Sequence, residues 1–245
     1  MNPSEKTCVL IPTYNNAGTL RDVVERVLVR CADVIVVNDG STDNTAEVLA
    51  ALGDRVTVVG YGRNRGKGHA LKKGFQKARE LGFDHAITID SDGQHFPEDI
   101  PLFIDALEQH PDALIVGSRN LNQENMPGGN TFANKFSNFW FKVQTGITLP
   151  DTQTGYRLYP LRKLPRVFSS RYEAELALLV FSAWRNIELV PVKVNVCYPK
   201  DRVTHFRPFW DFFRISLLNT LLCLLAVVYG WPSRLIHKLS GRKPT

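Results

Sequence analysis

The stretch TCVLIPTYNNAGTLRDVVERVLVRCADVIVVN, residues 7–38, decides the fold. Its two ends, residues 7–12 and 33–38, are nearly continuous apolar runs rich in Val and Ile, which is typical of strands buried on both faces. Between them, residues 19–31 repeat apolar side chains near every 3.6 positions, as an amphipathic helix does. This order predicts two parallel strands joined by a crossover helix.

The same alternation continues along the chain. Further strand-like runs lie at residues 55–60, 85–90 and 113–118, and amphipathic segments lie at 45–52, 67–81 and 97–109. Beyond them we predict a polar loop at 119–131, an aromatic-rich helix at 132–145, a loop and strand at 151–160, a helix at 173–185 and a strand at 187–198. Pro191 places that last strand at a sheet edge. The whole pattern predicts an α/β fold with a mostly parallel central sheet and helices on both faces.

Composition excludes several classes of protein. The 245 residues are 44% hydrophobic and 22% charged, so the chain can bury a large core and is neither disordered nor fibrous. Four widely spaced cysteines exclude a disulfide scaffold and contain no C-x-x-C pair. The N-terminus lacks a basic region followed by an apolar one, so we expect no cleaved signal and a cytoplasmic location.

Positive charge is concentrated at the C-terminus. Residues 193–245 hold nine Lys/Arg against two Asp/Glu, a net charge of +7, whereas residues 1–192 have a net charge of −1. Such a segment predicts an anionic partner. Nucleic acid is one candidate, but the longest apolar run of the chain, residues 215–231, lies in the same segment. The pairing favours an anionic membrane surface.

Polar residues follow each of the first five predicted strands, at residues 13–15, 39–41, 62–67 and 90–95 and at Arg119. Turn-forming residues are normal at strand ends. However, ligands of open parallel sheets bind beyond the carboxyl ends of the strands, and five such loops would share one sheet edge. The pattern therefore predicts a binding site there.

The most informative loop is DSDGQH, residues 90–95. Asp90 and Asp92 stand two residues apart on a turn, and paired carboxylates suit a hard cation such as Mg²⁺ or Mn²⁺. Gln94 and His95 could add a ligand or a phosphate contact. A simple capping turn would explain one aspartate but not this whole group.

The sequence around Gly66 matches neither of two common phosphate-binding patterns. A Walker loop requires glycine five residues before Gly66, where Tyr61 stands, and in the dinucleotide pattern the third glycine comes one residue too late. What remains is RNRGKGHA, residues 63–70, a basic turn that opens a helix whose N-terminal amides could meet a phosphate or a base.

Five motifs in order resemble those of family 2 glycosyltransferases, which have the nucleotide-sugar-binding, Rossmann-like A-type fold. They are IPTYNN (11–16), VVNDGSTDNT (36–45), NRGKG (64–68), DSDGQH (90–95) and GSR (117–119). The resemblance is strongest to dolichyl- or polyprenyl-phosphate sugar synthases and covers about residues 5–200. We therefore expect a catalytic domain at residues 1–200 and a basic, apolar, membrane-associating segment of helices at residues 201–245.

The resemblance implies a role for each matching residue. Nucleotide-sugar contacts are implied for Pro12, Tyr14, Asn15, Asp39, Asn64, Gly66, Lys67, Asp90 and Ser91, with Asp39 at the base. The metal element D-x-D is implied for Asp90 and Asp92, with Gln94, and its ion would be Mg²⁺ or Mn²⁺. Arg119 would hold an anionic oxygen, unless it only forms a surface salt bridge. Asp151, with Gln153 beside it, would lie near the donor sugar. RYEAEL (171–176) resembles a glutamate-rich family helix in which Glu173 and Glu175 are structural, unless Glu173 serves as a base.

The expected chemistry is transfer of a sugar with inversion. Breaking a sugar–diphosphate bond builds negative charge on the leaving phosphate, which a divalent cation and a nearby arginine stabilise. A lipid-phosphate acceptor is already ionised and needs no general base. A hydroxyl acceptor needs a carboxylate to take its proton, with Asp151 the first choice and Glu173 the second.

The C-terminal segment is expected to meet the acceptor. Arg202, His205 and Arg207 precede an aromatic band at residues 209–213, a combination that fits a lipid headgroup region, and we assign the three basic residues to the acceptor phosphate. The apolar run that follows has 17 residues, fewer than the ~20 that span a bilayer. We favour a helix lying in one leaflet over a spanning helix or one packed on the core, and we expect Pro232 to end it.

The leading hypothesis is an inverting, metal-dependent glycosyltransferase that moves a sugar from a UDP- or GDP-sugar to a membrane lipid such as polyprenyl phosphate, on the cytoplasmic face. Nucleic acid is not expected as a partner. One alternative is transfer to a hydroxyl of another lipid or of an envelope glycan, and another is a non-catalytic nucleotide-sugar-binding scaffold. The base, the sugar, the lipid and the oligomeric state are left open by the sequence.

Overall fold

The computed structural model describes residues 6–119, 128–165, 171, 173–197 and 208–239. Seven strands form one sheet in the order β3-β2-β1-β4-β6-β5-β7. They are β1 (Thr7–Thr13), β2 (Val34–Asn38), β3 (Thr57–Gly60), β4 (His85–Thr88), β5 (Leu114–Arg119), β6 (Arg157–Pro160) and β7 (Leu189–Val194). The mostly parallel sheet is confirmed, and so is the edge position of Pro191 in β7.

Strand β6 is the exception, because it runs antiparallel to both β4 and β5. Its first residue, Arg157, pairs with Thr88, the last residue of β4. The chain that enters β6 therefore lies at the carboxyl edge of the parallel strands. This reversal, which periodicity does not predict, brings residues 151–156 to the edge that carries the polar loops.

Helices cover both faces of the sheet. They are α1 (Ala17–Leu28), α2 (Thr45–Leu52), α3 (Lys67–Glu80), α4 (Ile100–Gln109), α5 (Gly128–Thr145), α6 (Glu173–Trp184), α7 (Pro208–Leu225) and α8 (Trp231–Leu239). One core packs α1, α2 and α4 on the sheet, and the other packs α3, α5, α6 and α7. Alternate residues of β1 serve the two cores, with Leu10 in one and Val9 in the other. Helix α5 begins at Gly128, so the end of the loop predicted at 119–131 is helical.

The expectation that Pro232 ends the last helix is wrong. A π-helical turn, Ala226–Gly230, joins α7 to α8, and Pro232 lies in the first turn of α8. Among the described residues, one stretch, Ile215–Ile236, is long and apolar enough to cross a membrane, as judged by length and composition alone. It has 22 residues, and 22% of its most apolar part is buried inside the protein.

Candidate active site

The loop after β2 is tied to the basic turn before α3 through one carboxylate. Oδ2 of Asp39 accepts hydrogen bonds from Asn64 Nδ2 (3.0 Å) and from the backbone N–H of Gly66 (2.8 Å), and Oδ1 accepts one from the backbone N–H of Arg65 (2.8 Å). Gly66 has a φ of +94°, in the region that favours glycine. Asp39, only 3% exposed, thus holds the turn in shape, and its contact with a base stays a prediction.

The loop after β1 is joined to the loop after β2 as well. Asn15 adopts a left-handed conformation, with a φ of +52°. Its backbone N–H donates to Ser41 Oγ (3.0 Å), and its Oδ1 accepts from the backbone N–H of Thr42 (2.7 Å). Pro12 is buried within β1, whereas Tyr14 is half-buried at its end. The predicted nucleotide-pocket residues therefore lie together at the sheet edge.

A partly buried ion cluster joins α3, the loop after β4 and α6. Lys67 Nζ lies 2.7 Å from Asp90 Oδ1 and 3.0 Å from Glu175 Oε2. Burial alone would lower the pKa of Lys67, but the two carboxylates raise it above its ordinary value. For Asp90, burial alone would raise the pKa, and the Lys67 charge outweighs that and holds it below the ordinary range. Both shifts favour the charged forms of Lys67 and Asp90.

Gly155, just before β6, leaves the space that this cluster occupies. A Cβ at that position would lie 2.7 Å from both Asp90 Oδ2 and Lys67 Nζ. The carbonyl oxygen of Gly155 also accepts a hydrogen bond from Thr88 Oγ1 (2.7 Å), which anchors the backbone beside the pair. Gly155 was not predicted as a site residue, and neither was the contact of Glu175 with Lys67, although Glu175 lies in the RYEAEL segment.

The second aspartate of the D-x-D element has different partners. Asp92 accepts hydrogen bonds from the backbone N–H of Gln94 (3.0 Å) and from its Nε2 (2.7 Å). Burial and the nearby Asp90 charge raise the pKa of Asp92. Ser91, between them, is 2% exposed and accepts hydrogen bonds from Asn16 Nδ2 at Oγ and from Thr19 at its carbonyl, so it fastens this loop to the start of α1.

His95 is buried behind the loop, where its ring packs against Tyr156. Burial lowers the pKa of His95 to about 4. The imidazole is therefore neutral near pH 7.

Arg119 and Asp151 form a forked ion pair at the end of β5. Arg119 Nε lies 2.6 Å from Asp151 Oδ2, and Nη2 lies 3.0 Å from Oδ1. Asn134 Nδ2 (2.6 Å) and the backbone N–H of Gln153 (3.0 Å) also donate to Oδ1. Asp151 is 0% exposed; burial alone would raise its pKa, but the bonds and charge of Arg119 lower it. The hydrogen bonds that Asp151 accepts fix its carboxylate in place, so we interpret Asp151 as a residue that orients Arg119.

The remaining predicted residues are not brought to this cluster by the described contacts. Glu173 begins α6 and is half-buried, and Glu175, two residues later, is the glutamate that contacts Lys67. Arg202, His205 and Arg207 lie outside the described residues.

Asp90 and Asp92 fit a divalent cation only with further oxygen ligands. Over the described parts of the chain, no cluster of three or more His, Cys, Asp or Glu side chains could hold a metal ion. However, burial and, after it, the nearby Asp90 charge raise the pKa of Asp92, and a cation bound between the two carboxylates would relieve their repulsion. Two carboxylates that leave several coordination positions open are what Mg²⁺ requires when phosphate oxygens complete its shell.

Comparison with known proteins identifies the family of the chain. Residues 8–166 match the model of glycosyl transferase family 2. A UDP-N-acetylglucosamine–dolichyl-phosphate N-acetylglucosaminyltransferase of Methanococcus voltae is 30% identical over 86% of this chain and 95% of its own length. A polyprenol monophosphomannose synthase of Mycolicibacterium smegmatis is 31% identical over 76% of this chain and 74% of its own length.

A solved structure supports the fold. Glucosyl-3-phosphoglycerate synthase from Mycobacterium tuberculosis, in complex with Mn²⁺, UDP and glucosyl-3-phosphoglycerate, superimposes with a TM-score of 0.67 over 92% of this chain and 82% of that chain, at 20% identity. The family match, the relatives and the sheet agree, and the chain belongs to glycosyl transferase family 2, a glycosyltransferase with the nucleotide-sugar-binding A-type fold.

Proposed function

We propose that this protein transfers a sugar, with inversion, from a UDP- or GDP-sugar to polyprenyl phosphate at the cytoplasmic face of a membrane. Relatives named for dolichyl-phosphate and polyprenol-phosphate products support the class of acceptor. The basic, apolar C-terminal segment supports the location.

The burial and hydrogen bonding of Asp151 are the main support for a phosphate acceptor over a hydroxyl acceptor. A hydroxyl acceptor needs a general base that can reach it and take its proton. Asp151, the first-choice base, is fully buried, and its oxygens already accept hydrogen bonds from Arg119, Asn134 and Gln153. Its lowered pKa makes it a poor proton acceptor. A phosphate acceptor is ionised at neutral pH and needs no base.

Arg119 is assigned to the anionic oxygens of donor or acceptor. Asp151 binds the Nε and Nη2 edge of the guanidinium, so the plane of the group is set before substrate arrives. A guanidinium that is held in place in this way can stabilise the negative charge that develops on an oxygen, because it does not have to reorient during the reaction.

The D-x-D loop is assigned to the donor diphosphate. Asp92, with Gln94, would hold Mg²⁺ or Mn²⁺, and the bound cation would supply neutralisation of the leaving diphosphate's charge. Lys67 already pairs with Asp90 and with Glu175, which leaves Asp92 as the more available carboxylate. The basic turn at residues 64–67, held by Asp39, flanks the nucleotide.

The test compares two acceptors that differ only in their head group. Full-length protein in detergent, with Mn²⁺ and a panel of UDP- and GDP-sugars, is incubated with a polyprenyl phosphate or with the corresponding polyprenol. We expect release of UDP or GDP with the phosphate and none above background with the alcohol. Transfer to the alcohol or to an envelope glycan would instead support a hydroxyl acceptor. Donor binding without release with any acceptor would support a non-catalytic scaffold.

A further inference from the structure

Exposed apolar side chains are concentrated on two elements. Of the sixteen large apolar side chains recorded as exposed in the described residues, nine lie between Leu217 and Ile236 and three, Phe136, Phe139 and Val143, lie on α5. Phe136 and Phe139 are 50% and 58% exposed. Scattered apolar residues on a surface need no explanation, but a concentration of this kind marks an interaction surface.

The two elements form one surface because they touch. Trp231 Nε1 donates a hydrogen bond to the carbonyl oxygen of Val143 (3.2 Å). One residue further along α5, Gln144 Nε2 donates to Asn219 Oδ1 (3.0 Å). The exposed side chains of α5 therefore continue into those of the C-terminal helix. We name this surface, formed by α5 and Ile215–Ile236, the apolar face.

The C-terminal helix is fastened to the domain along its length. Its buried positions, Asn219, Leu222, Ala226 and Gly230, recur every three or four residues and form one stripe. At Gly230 the absence of a side chain lets the helix lie directly on the indole of Trp184, where a Cβ would collide. Polar contacts extend from Asn219 to Ser233, whose hydroxyl donates to the carbonyl oxygen of Trp184, a helical span of about 21 Å.

These contacts oppose a spanning arrangement. A helix that left the domain to cross a bilayer would carry the Asn219 amide into hydrocarbon without its partner, and polar groups there are costly unless bonded. It would also uncover Trp184, whose side chain is among the largest that are fully buried. An in-plane helix keeps the stripe on the protein and turns its other sides to lipid.

Charge identifies the occupant as lipid. The sequence from residue 193 to residue 245, which contains the C-terminal helix of the apolar face, has a net charge of +7. A second copy of the chain would bring an equal positive charge to a symmetric interface, whereas anionic headgroups complement it.

Helix α5 also links the apolar face to the active site. Asn134 donates to Asp151, the partner of Arg119, and Phe136 follows only two residues later on the same helix. A lipid whose phosphate reaches Arg119 could keep its chain in the leaflet beneath α5.

We propose that the apolar face lies in one leaflet of an anionic bilayer, with the C-terminal helix docked on the domain and not crossing the membrane. The proposal rests on the proposed function for the identity of the lipid substrate, but the binding itself requires no turnover. Helix α5 contributes to the membrane contact together with the C-terminal helix.

Vesicle flotation tests the contribution of α5. We compare the full-length protein with the double variant Phe136→Ser/Phe139→Ser and with a matched control, Val29→Ser/Leu102→Ser. The exposed apolar residues of the control lie just after α1 and on α4, at the opposite face of the sheet. Vesicles contain phosphatidylcholine with or without phosphatidylglycerol. Loss of two large apolar contacts should weaken partition by roughly 10- to 100-fold, with the control unchanged. Equal flotation of the α5 variant and the control would overturn the role of α5.

Two measurements keep that result interpretable. Thermal melting and UDP- or GDP-sugar binding should be the same for the α5 variant and the control, because neither pair touches the donor site. Sedimentation without lipid tests the alternative occupant. If the full-length protein is a dimer that the α5 variant converts to a monomer, the apolar face is a protein interface and the lipid assignment fails.

Topology is tested with two cysteines in native membrane vesicles. Cys197 is exposed on the domain, and a cysteine appended after Thr245 marks the end of the chain, each used alone with the other accessible cysteines replaced by serine. A membrane-impermeant maleimide should label both from the same side. Labelling from opposite sides would show that the helix spans. Membrane binding with no sugar transfer would leave this proposal standing and overturn only the proposed function.

Discussion

Replacing Gly155 with alanine adds one carbon atom to the site and changes no charge. The new Cβ would lie 2.7 Å from Asp90 Oδ2 and from Lys67 Nζ, whereas ordinary non-bonded contacts begin near 3.5 Å. Both groups must therefore shift by roughly 0.8 Å, and a misplacement of about 1 Å in a catalytic site can cost on the order of 100-fold in rate. We expect kcat/KM to fall by about 10- to 100-fold.

Stability should change much less than activity. The atoms that must move are the ends of flexible side chains, so we expect a cost of about 1–3 kcal/mol in the free energy of unfolding, typical of modest overpacking. The assay is initial-rate nucleotide release, paired with a thermal melt. Gly18→Ala in α1 is the matched control, because a Cβ there meets nothing within 4 Å. A folded Gly155→Ala protein with activity close to that of the control would refute the argument that this glycine makes room for the Asp90–Lys67 pair.

Other substitutions test the remaining roles. Asp92→Asn should abolish metal-dependent donor binding with the fold intact, because a carboxamide is a poor ligand for a hard cation; thermal shift with a donor sugar, with and without Mn²⁺, checks this, and unchanged turnover would contradict it. Arg119→Ala should cost about 2–4 kcal/mol of transition-state stabilisation, with partial recovery in Arg119→Lys, as measured by kcat/KM. Its melting temperature should also fall, because Asp151 is left buried without its cation, and full activity with an unchanged melt would place Arg119 outside the site. Burial raises the pKa of Cys8 to about 12, so its thiol should stay protonated and resist iodoacetamide at pH 8 to 9 while exposed Cys197 reacts; mass spectrometry distinguishes the two, and equal labelling would mean that β1 opens.

The order of elements and the position of the polar loops could be predicted because both depend on local patterns. Runs of Val and Ile fix which segments become buried strands, and the ends of parallel strands share an edge whatever else the chain does. Asp39, Asp90, Asp92 and Arg119 were expected at that edge, and the structure places them there. The family match confirms the class of enzyme that their order indicates.

Tertiary structure alone decided what these residues contact. The reversed direction of β6 brings Gly155 against Asp90 and Asp151 against Arg119, and no hydrophobic period encodes the direction of a strand. Lys67, expected beside a nucleotide, pairs with Glu175 from a helix about a hundred residues away, a pairing that exists only when α3 and α6 share a core.

For the C-terminal segment too, some properties follow from the sequence and others only from the tertiary structure. Its apolar composition and positive charge are properties of the sequence and indicated a membrane contact, and the length of the apolar run favoured a helix lying in one leaflet. The stripe from Asn219 to Gly230, the exposed side of α5 and the passage of the helix through Pro232 depend on packing against Trp184 and Gln144. Sequence periodicity shows how a helix can be amphipathic, but only the neighbouring helices determine which side meets protein and which side remains for lipid.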